Sequence, residues 1–317
     1  MNMLLSSNLS GFSDYGFSLA SVLIIASLAG LMCEKAGVVN IAIEGMMTIG
    51  ALVTAILGKV INTDTTNVNL YNQLYVVLIA GVVTIFIALI HGYISITLKS
   101  NQIISGTAIN LLALGIAAFI VSSGYFGLNG NVNAIDAGYR KPIEICGIQW
   151  WFIIAIVICA ICAIFLIYTK YGKRYISVGE NPNAVDAAGI SVNKYRYIAV
   201  CVSGFLSGIA GGVLVVSKLN SGEFTGTTNG YGYLAMAILI FGQWKIHYVS
   251  IGALMFAFLF SFALYGNNLI QDSDFIRKNQ NLLKTIPFII TIAVMVLFSK
   301  KSQAPAANGV PFDKSKR

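Results

Sequence analysis

Residues 170–196 read KYGKRYISVGENPNAVDAAGISVNKYR, and the rest of the chain takes its orientation from them. They form the longest polar and basic interval in an otherwise apolar sequence, flanked by Lys170, Lys173, Arg174, Lys194 and Arg196. Short loops rich in Lys and Arg stay on the cytoplasmic side of a membrane. Between the basic flanks lies the signature of a short helix. Asn181 suits the N-cap, Pro182 the first helical position and Gly189 the position just past the end. Ala184, Ala187 and Ala188 between them are good helix formers. A capped helix of about two turns, held between two spans, would be a rigid knob facing the cytoplasm. The competing reading is a surface helix in a plain connecting loop.

Composition makes the membrane reading firm. Of 317 residues, 57% are hydrophobic and 10% charged, against about 25% charged in soluble domains. Mean hydropathy is +0.79. A chain this long and apolar cannot hide its surface in water, so the expected fold is all-α, a polytopic protein of the cell membrane. The net charge of +8 then reflects basic residues gathered at cytoplasmic ends. No basic patch with interleaved aromatics is present, so nucleic acid is not an expected partner. Cys33, Cys146, Cys159, Cys162 and Cys201 are the five cysteines. The C-x-x-C of Cys159 and Cys162 lies in an apolar run and reads as helix packing rather than redox or metal chemistry. The N-terminus lacks the basic region of a cleaved signal peptide, so the first apolar segment is expected to remain.

Apolar runs place spans at 15–32, 37–61, 74–98, 101–125, 150–168, 197–219, 248–266 and 282–298. The run 231–244, YGYLAMAILIFGQW, is too short for a comfortable span and reads as a broken or re-entrant helix. About nine crossings put the N-terminus outside and the C-terminus inside; a count of about eight or ten also stays open, because the segments at 37–61 and 231–244 are irregular. That arrangement leaves about thirteen Lys and Arg on the cytoplasmic side and about seven elsewhere. Residues 1–299 form one transmembrane domain, and 300–317 a basic cytoplasmic tail.

Polar residues within the spans are the candidates for contact with a solute. Asn40 and Glu44 lie in the first turns of the second span. A carboxylate at mid-bilayer costs about 2.5–3.5 kcal/mol on insertion scales. Glu44 therefore marks an interior or water-facing site, or else sits near the surface bonded to Lys35 or backbone. Asn101, Gln102 and Asn110 are amides at or near the embedded start of the fourth span, suited to helix–helix bonds or to a polar solute. Tyr233 and Trp244 lie on the short segment. His91 and His247 read as a buried histidine bonded to a carbonyl and an interfacial one. Gly204, Gly208 and Gly212 recur every four residues, the pattern of tight helix packing.

No GxxxxGK[ST], H-E-x-x-H or GxSxG motif occurs, and no paired His/carboxylate metal set. No catalytic or metal-ligating residue is expected. Small residues, amides and aromatics suit a neutral polar solute better than an ion. Such a chain needs an outside energy source.

Four stretches resemble a known family: GVVNIAIEGMM at 37–47, KSNQIISGTAINLLALG at 99–115, VGENPNAVDAAGISVNKYRY at 178–197 and GYGYLAMAILIFGQW at 230–244. The tail KKSQAPAANGVPFDK at 300–314 adds a fifth. The chain resembles the permease subunit of bacterial ABC importers, in the branch with ribose-type sugar, branched-chain amino-acid and nucleoside systems. NQIISG, IEGMM and APAANGVPFD are most similar to the nucleoside permeases. YGYLAMA departs, with Tyr-Gly-Tyr where related sequences often carry a basic or Gly-Phe variant. The resemblance implies that Glu180, Asn181, Pro182, Asp186 and Gly189 carry a coupling helix that docks in a cytoplasmic ABC ATPase. It implies no cofactor in this chain, with ATP and Mg held by that ATPase. A second, different permease chain and an extracellular substrate-binding lipoprotein complete the expected assembly. Two other readings stay open: the same architecture carrying a sugar or branched-chain amino acid, or an ion-coupled secondary transporter or channel.

Overall fold

A computed structural model describes residues 2–61, 70–124, 134–139, 144–145, 148–217, 222–269 and 304–314, with single positions 219, 285, 289 and 292. Ten α-helices follow one another among the described residues. They are α1 (Asn2–Lys35), α2 (Ile43–Ile61), α3 (Leu70–Gly92), α4 (Gln102–Ser122), α5 (Trp150–Tyr168), α6 (Lys170–Glu180), α7 (Pro182–Ala187), α8 (Val192–Val216), α9 (Tyr231–Phe241) and α10 (Ile246–Leu269). Two small antiparallel ribbons accompany them, Ile135–Asp136 with Glu223–Phe224 and Glu144–Ile145 with Ile148–Gln149. Seven of the described helices are long and apolar enough to cross a membrane: α1, α2, α3, α4, α5, α8 and α10. The expected span at 282–298 lies almost wholly outside the described residues, as do 62–69 and most of the loop at 126–149.

α1 is the central post. From Leu19 to Cys33 its apolar side chains are almost all shut away from the surface, packed by α10, α8, α5 and α9. α1 and α10 are antiparallel, since Phe258 lies on Gly16 and Tyr265 on Gly11. α3, α4 and α5 are peripheral and turn Phe86, Leu111, Phe119 and Ile161 outward. Exposed apolar side chains on helices of this hydropathy are suited to lipid or to another apolar chain.

The glycine stripe of α8 explains its own spacing. Gly50 of α2 lies so close that a Cβ on it would meet the Gly208 Cα at 2.6 Å. A Cβ on Gly208 would meet the Ala80 carbonyl oxygen of α3 at 2.8 Å and the Gly81 Cα at 2.9 Å. Thr84 donates from Oγ1 to the Gly204 carbonyl at 2.8 Å, sealing the same contact. Gly212 faces Thr54 and Val77. Three backbones converge here, with the Thr84 side chain set between α3 and α8.

Several boundaries differ from the sequence expectation. The second span does not start at Gly37. Gly37 takes φ +84°, and the chain stays non-helical through Asn40, where the side-chain oxygen accepts from Ala42 N at 3.1 Å. The helix begins only at Ile43. α3 ends in a π-helical turn, Tyr93–Thr97. Residues 170–196 are not one helix with flanks. α6 precedes α7, and α8 already starts at Val192. α6 forms because Tyr175 and Val178 bury one side of an otherwise basic segment, and Tyr175 donates its hydroxyl to the Met32 carbonyl. The short segment is an 11-residue helix, as its length suggested.

Two ends of the bundle can be told apart. One gathers the end of α1, residues 37–40, Lys99, α6, α7, the start of α8, Trp244 and residues 304–314. The other gathers the start of α1, the end of α2, residues 134–139, the end of α8 and the end of α10. Gly58 of α2 accordingly packs on Ala137 and Tyr139.

Candidate functional site

α9 starts part-way through the bundle, and the way its first turn is held defines the inner site. Its N-cap is Gly230, at φ +80° with no side chain to offer. The first amides of a helix need acceptors, and the N-terminus favours negative charge. Glu44 supplies both. Its Oε1 accepts from Gly230 N at 2.9 Å and from Thr228 Oγ1 at 2.7 Å, and its Oε2 accepts from Gly232 N at 2.6 Å. Gly232 must be glycine, because a Cβ there would meet the Glu44 Cα at 2.6 Å. Glu44 is buried, and its backbone partners belong to a segment 186 or more residues away. A buried carboxylate with three donors is stable where a bare one is not.

Asn110 joins the same cluster from α4. Its Oδ1 accepts from Gly45 N at 2.7 Å, and its Nδ2 donates to the Ile41 carbonyl at 2.8 Å and to the Tyr233 hydroxyl at 3.1 Å. Tyr233 is 49% exposed as a residue, while its hydroxyl is tied down. Thr48 meets Thr228 at 3.2 Å, and Tyr15 meets Tyr231 at 3.2 Å. Thus Glu44, Asn110 and the half-exposed Tyr233 come together.

The remaining candidates lie elsewhere. Asn40 donates to Ser203 Oγ at 2.7 Å, and Gln102 accepts from Val39 N at 2.7 Å. Both hold the non-helical segment before α2. His91 locks that segment as well, with Nε2 on the Val39 carbonyl at 3.1 Å and Nδ1 on Ser105 Oγ at 3.0 Å. Asn101 is the exposed N-cap of α4, accepting from Ile103 N and Ile104 N at 2.9 and 3.3 Å. Trp244 lies past the far end of α9, about 16 Å of helix from Gly230. There it donates to Glu34 Oε2 at 2.6 Å.

α7 is capped where its sequence says. Asn181 Oδ1 accepts from Ala184 N at 3.0 Å, and Pro182 occupies the first turn. Gly189 takes φ +76°, its N–H bonds the Asp186 carbonyl at 2.9 Å, and Ile190 N reaches the Val185 carbonyl at 3.2 Å. That is the double closure of a Schellman end. Only Val185 of α7 is buried, so the helix presents its small outer face to solvent. Between α6 and α7 lies a cleft of about 490 Å³ lined by Arg174, Ser177, Glu180, Asn181 and Ala188.

Comparison with known proteins places this architecture. The family described as branched-chain amino acid transport system / permease component matches residues 13–295. The chain belongs to that family. It is a multi-pass membrane permease and not an enzyme. It is 34% identical over 311 residues to the guanosine ABC transporter permease protein NupQ of Bacillus subtilis (strain 168), covering 94% of this chain and 95% of the relative. It is 29% identical over 308 residues to the nucleoside ABC transporter permease protein NupC of Lactococcus lactis subsp. cremoris (strain MG1363), covering 93% and 94%. It is 30% identical over 302 residues to the putative glucose ABC transporter permease protein TsgC13 of Haloferax volcanii, covering 87% and 88%. No solved structure matches.

The permease carries features that the sequence pattern did not single out. Glu34 was not among the candidates, yet it holds Trp244 and Asn308 together. Thr228 lacked any signal. Among the described residues no cluster of His, Cys, Asp and Glu could hold a metal.

Proposed function

We propose that this permease is the membrane subunit of an ATP-driven importer that moves nucleosides by alternating access. The observation that carries the reading is its full-length likeness to the guanosine and nucleoside permease proteins. The geometry supports it. A neutral, ring-bearing solute suits a site with a half-exposed tyrosine beside an asparagine. We place Tyr233 nearest the solute, held in position by Asn110. Glu44, Asn40, Asn110 and Trp244 spend their polar atoms on protein, as Gln102 does its side-chain oxygen, so they shape the path, with Asn101 at its rim.

In this reading the end bearing α6 and α7 faces the cytoplasm and the N-terminus lies outside. Residues 1–299 are the permease domain and 300–317 its tail. α7, with Glu180, Asn181, Pro182, Asp186 and Gly189, docks in a partner ABC ATPase, which holds the ATP and Mg. A second, different permease chain pairs with this one, and an extracellular lipoprotein delivers the solute. The likeness to the putative glucose permease supports a second reading, a sugar importer. Competition decides between them. Uptake of labelled guanosine by cells carrying the chain is expected to fall with unlabelled nucleosides and to be indifferent to glucose or leucine. Competition by glucose, or unchanged guanosine uptake after deletion of the chain, would refute the nucleoside reading.

Two variants test the docking helix. Gly189→Pro cannot adopt φ +76° and loses the N–H bonded to the Asp186 carbonyl. It is expected to insert normally and to cut uptake per ATP hydrolysed by about tenfold or more, with Glu180→Lys acting in the same direction. Asn181→Ala removes the cap of α7, worth about 1 kcal/mol. A milder loss, about two- to fivefold, is expected. Normal coupling in Gly189→Pro and Glu180→Lys would remove α7 from the docking role.

A further inference from the structure

Residues 304–314 have no secondary structure of their own, yet nearly every one is tied to the bundle. Ala307 N donates to the Gly179 carbonyl at 2.8 Å, and Gly309 N to the Gly37 carbonyl at 3.3 Å. Ala306 N reaches Glu180 Oε2 at 3.4 Å. Arg196, fully buried, donates from Nη1 to the Val310 carbonyl at 2.9 Å. Phe312 is buried among Val178, Val185 and Val192, which brings α6, α7 and α8 onto one side chain. Asp313 pairs with Lys99 at 3.0 Å and Lys314 with Asp186 at 3.1 Å. In both pairs the lysine is exposed, and such pairs hold weakly; the backbone bonds and the buried Phe312 fix the segment.

One bond connects this segment to the inner site. Asn308 Nδ2 donates to Glu34 Oε2 at 3.0 Å, the same oxygen that takes Trp244 Nε1 at 2.6 Å. Trp244 closes the end of α9, with its N–H on the Leu239 carbonyl. α9 is thus held by a carboxylate at each end, Glu44 at its start and Glu34 just beyond its finish. A rigid helix held at two ends moves as a body when either hold moves. The tail gives the α6–α7 pair a route to the far hold, because Gly179, Glu180 and Val185 touch 306, 307 and 312 while Asn308 touches Glu34; α6 also packs on α1 itself, with Gly179 against the Lys35 carbonyl and Tyr175 bonded to the Met32 carbonyl.

We propose that residues 304–314 are a transmission strap, with Glu34 as its joint, that makes the α6–α7 pair and the inner end of half-helix α9 move together. Glu34, Asn308 and Trp244 are positioning residues: they act on the solute through α9 and need not touch it. The functional consequence rests on the importer reading above, and the mechanical link does not. An arrangement of contacts becomes a coupling only when disturbing one end changes the other.

Amide hydrogen exchange on the purified full-length chain in lipid nanodiscs tests the link without any transport. The two variants are a chain ended after Gln303 and Asn308→Leu. In the shortened chain, exchange is expected to speed up about tenfold or more at 180–189 and at 240–244 together. The amides of Gly230 and Gly232, held by Glu44, should change by less than about twofold. Asn308→Leu, which keeps the rest of the tail, should speed 240–244 in the same way and carries the test if the shortened chain does not fold. Loosening at 180–189 with 240–244 unchanged in both variants would overturn the strap. In proteoliposomes with the assembled importer, Asn308→Leu and Trp244→Phe should each lower nucleoside moved per ATP hydrolysed by about fivefold or more while ATP hydrolysis continues. Unaltered stoichiometry in both would also overturn it. An unmodified complex that moves no nucleoside counts against the importer reading instead, and the exchange data then decide the strap.

Discussion

Replacing Glu44 with alanine is expected to abolish uptake, by about 100-fold or more per permease in the membrane, and to lower the thermal stability of the chain. Three donors lose their acceptor at once: Gly230 N, Gly232 N and Thr228 Oγ1. An unsatisfied buried donor costs about 1–3 kcal/mol. The sum is a large part of the roughly 5–15 kcal/mol that holds a domain together. The first turn of α9 would also lose the negative charge that its N-terminus favours. With it goes the placement of Tyr233, two residues past Tyr231. Glu44→Gln keeps one acceptor oxygen and nearly the same volume, so it should fold better than the alanine variant and recover only part of the uptake. Uptake normalised to permease abundance, with thermal unfolding in parallel, separates the two effects. Wild-type uptake in Glu44→Ala would mean that α9 is positioned by something other than this carboxylate.

Gly208→Leu should have the largest effect on folding. Its Cβ would fall among the Thr84 side chain, the Ala80 carbonyl and the Gly81 Cα, and Gly50 of α2 presses from the other side. Ordinary overpacking costs about 1–3 kcal/mol because side chains give way. Here the neighbours are mostly backbone, so three helices would have to part. The chain is expected to accumulate in membranes at about a tenth of the normal level or less. Gly115→Leu is the matched control, since nothing lies within 4 Å of a Cβ at Gly115. Equal abundance of the two variants would contradict the close three-helix contact.

What the sequence made legible was local. α7 could be bounded from Asn181, Pro182 and Gly189 because capping is settled by residues a few positions apart. The α8 stripe was legible because a repeat of four is written in one helix. Composition alone named the membrane. Glu44 could be flagged, because a carboxylate in an apolar run is costly wherever it goes, but its partners could not. Gly230 and Gly232 become its donors only when α9 is laid against α2. Asn101 carries the ordinary N-cap signal in front of α4, yet as an amide near a span it equally suited a solute. The start of α2 was misplaced because Gly37-Val38-Val39-Asn40 is as apolar as a helix, and only the left-handed Gly37 and the Asn40–Ala42 bond show the chain turning there. α6 was passed over because its basic residues hide a buried stripe of Tyr175 and Val178. The tail was the least legible part. It has no periodicity, and its contacts reach residues more than 100 positions away.

The most direct test of the account is uptake of labelled guanosine into proteoliposomes holding this permease with its ABC ATPase, second permease chain and binding lipoprotein, with ATP supplied on the ATPase side. Uptake that requires ATP, saturates, and is displaced by nucleosides but not by glucose or leucine is the predicted result. Guanosine uptake driven by a proton or sodium gradient without ATP, or displacement by glucose, would contradict it.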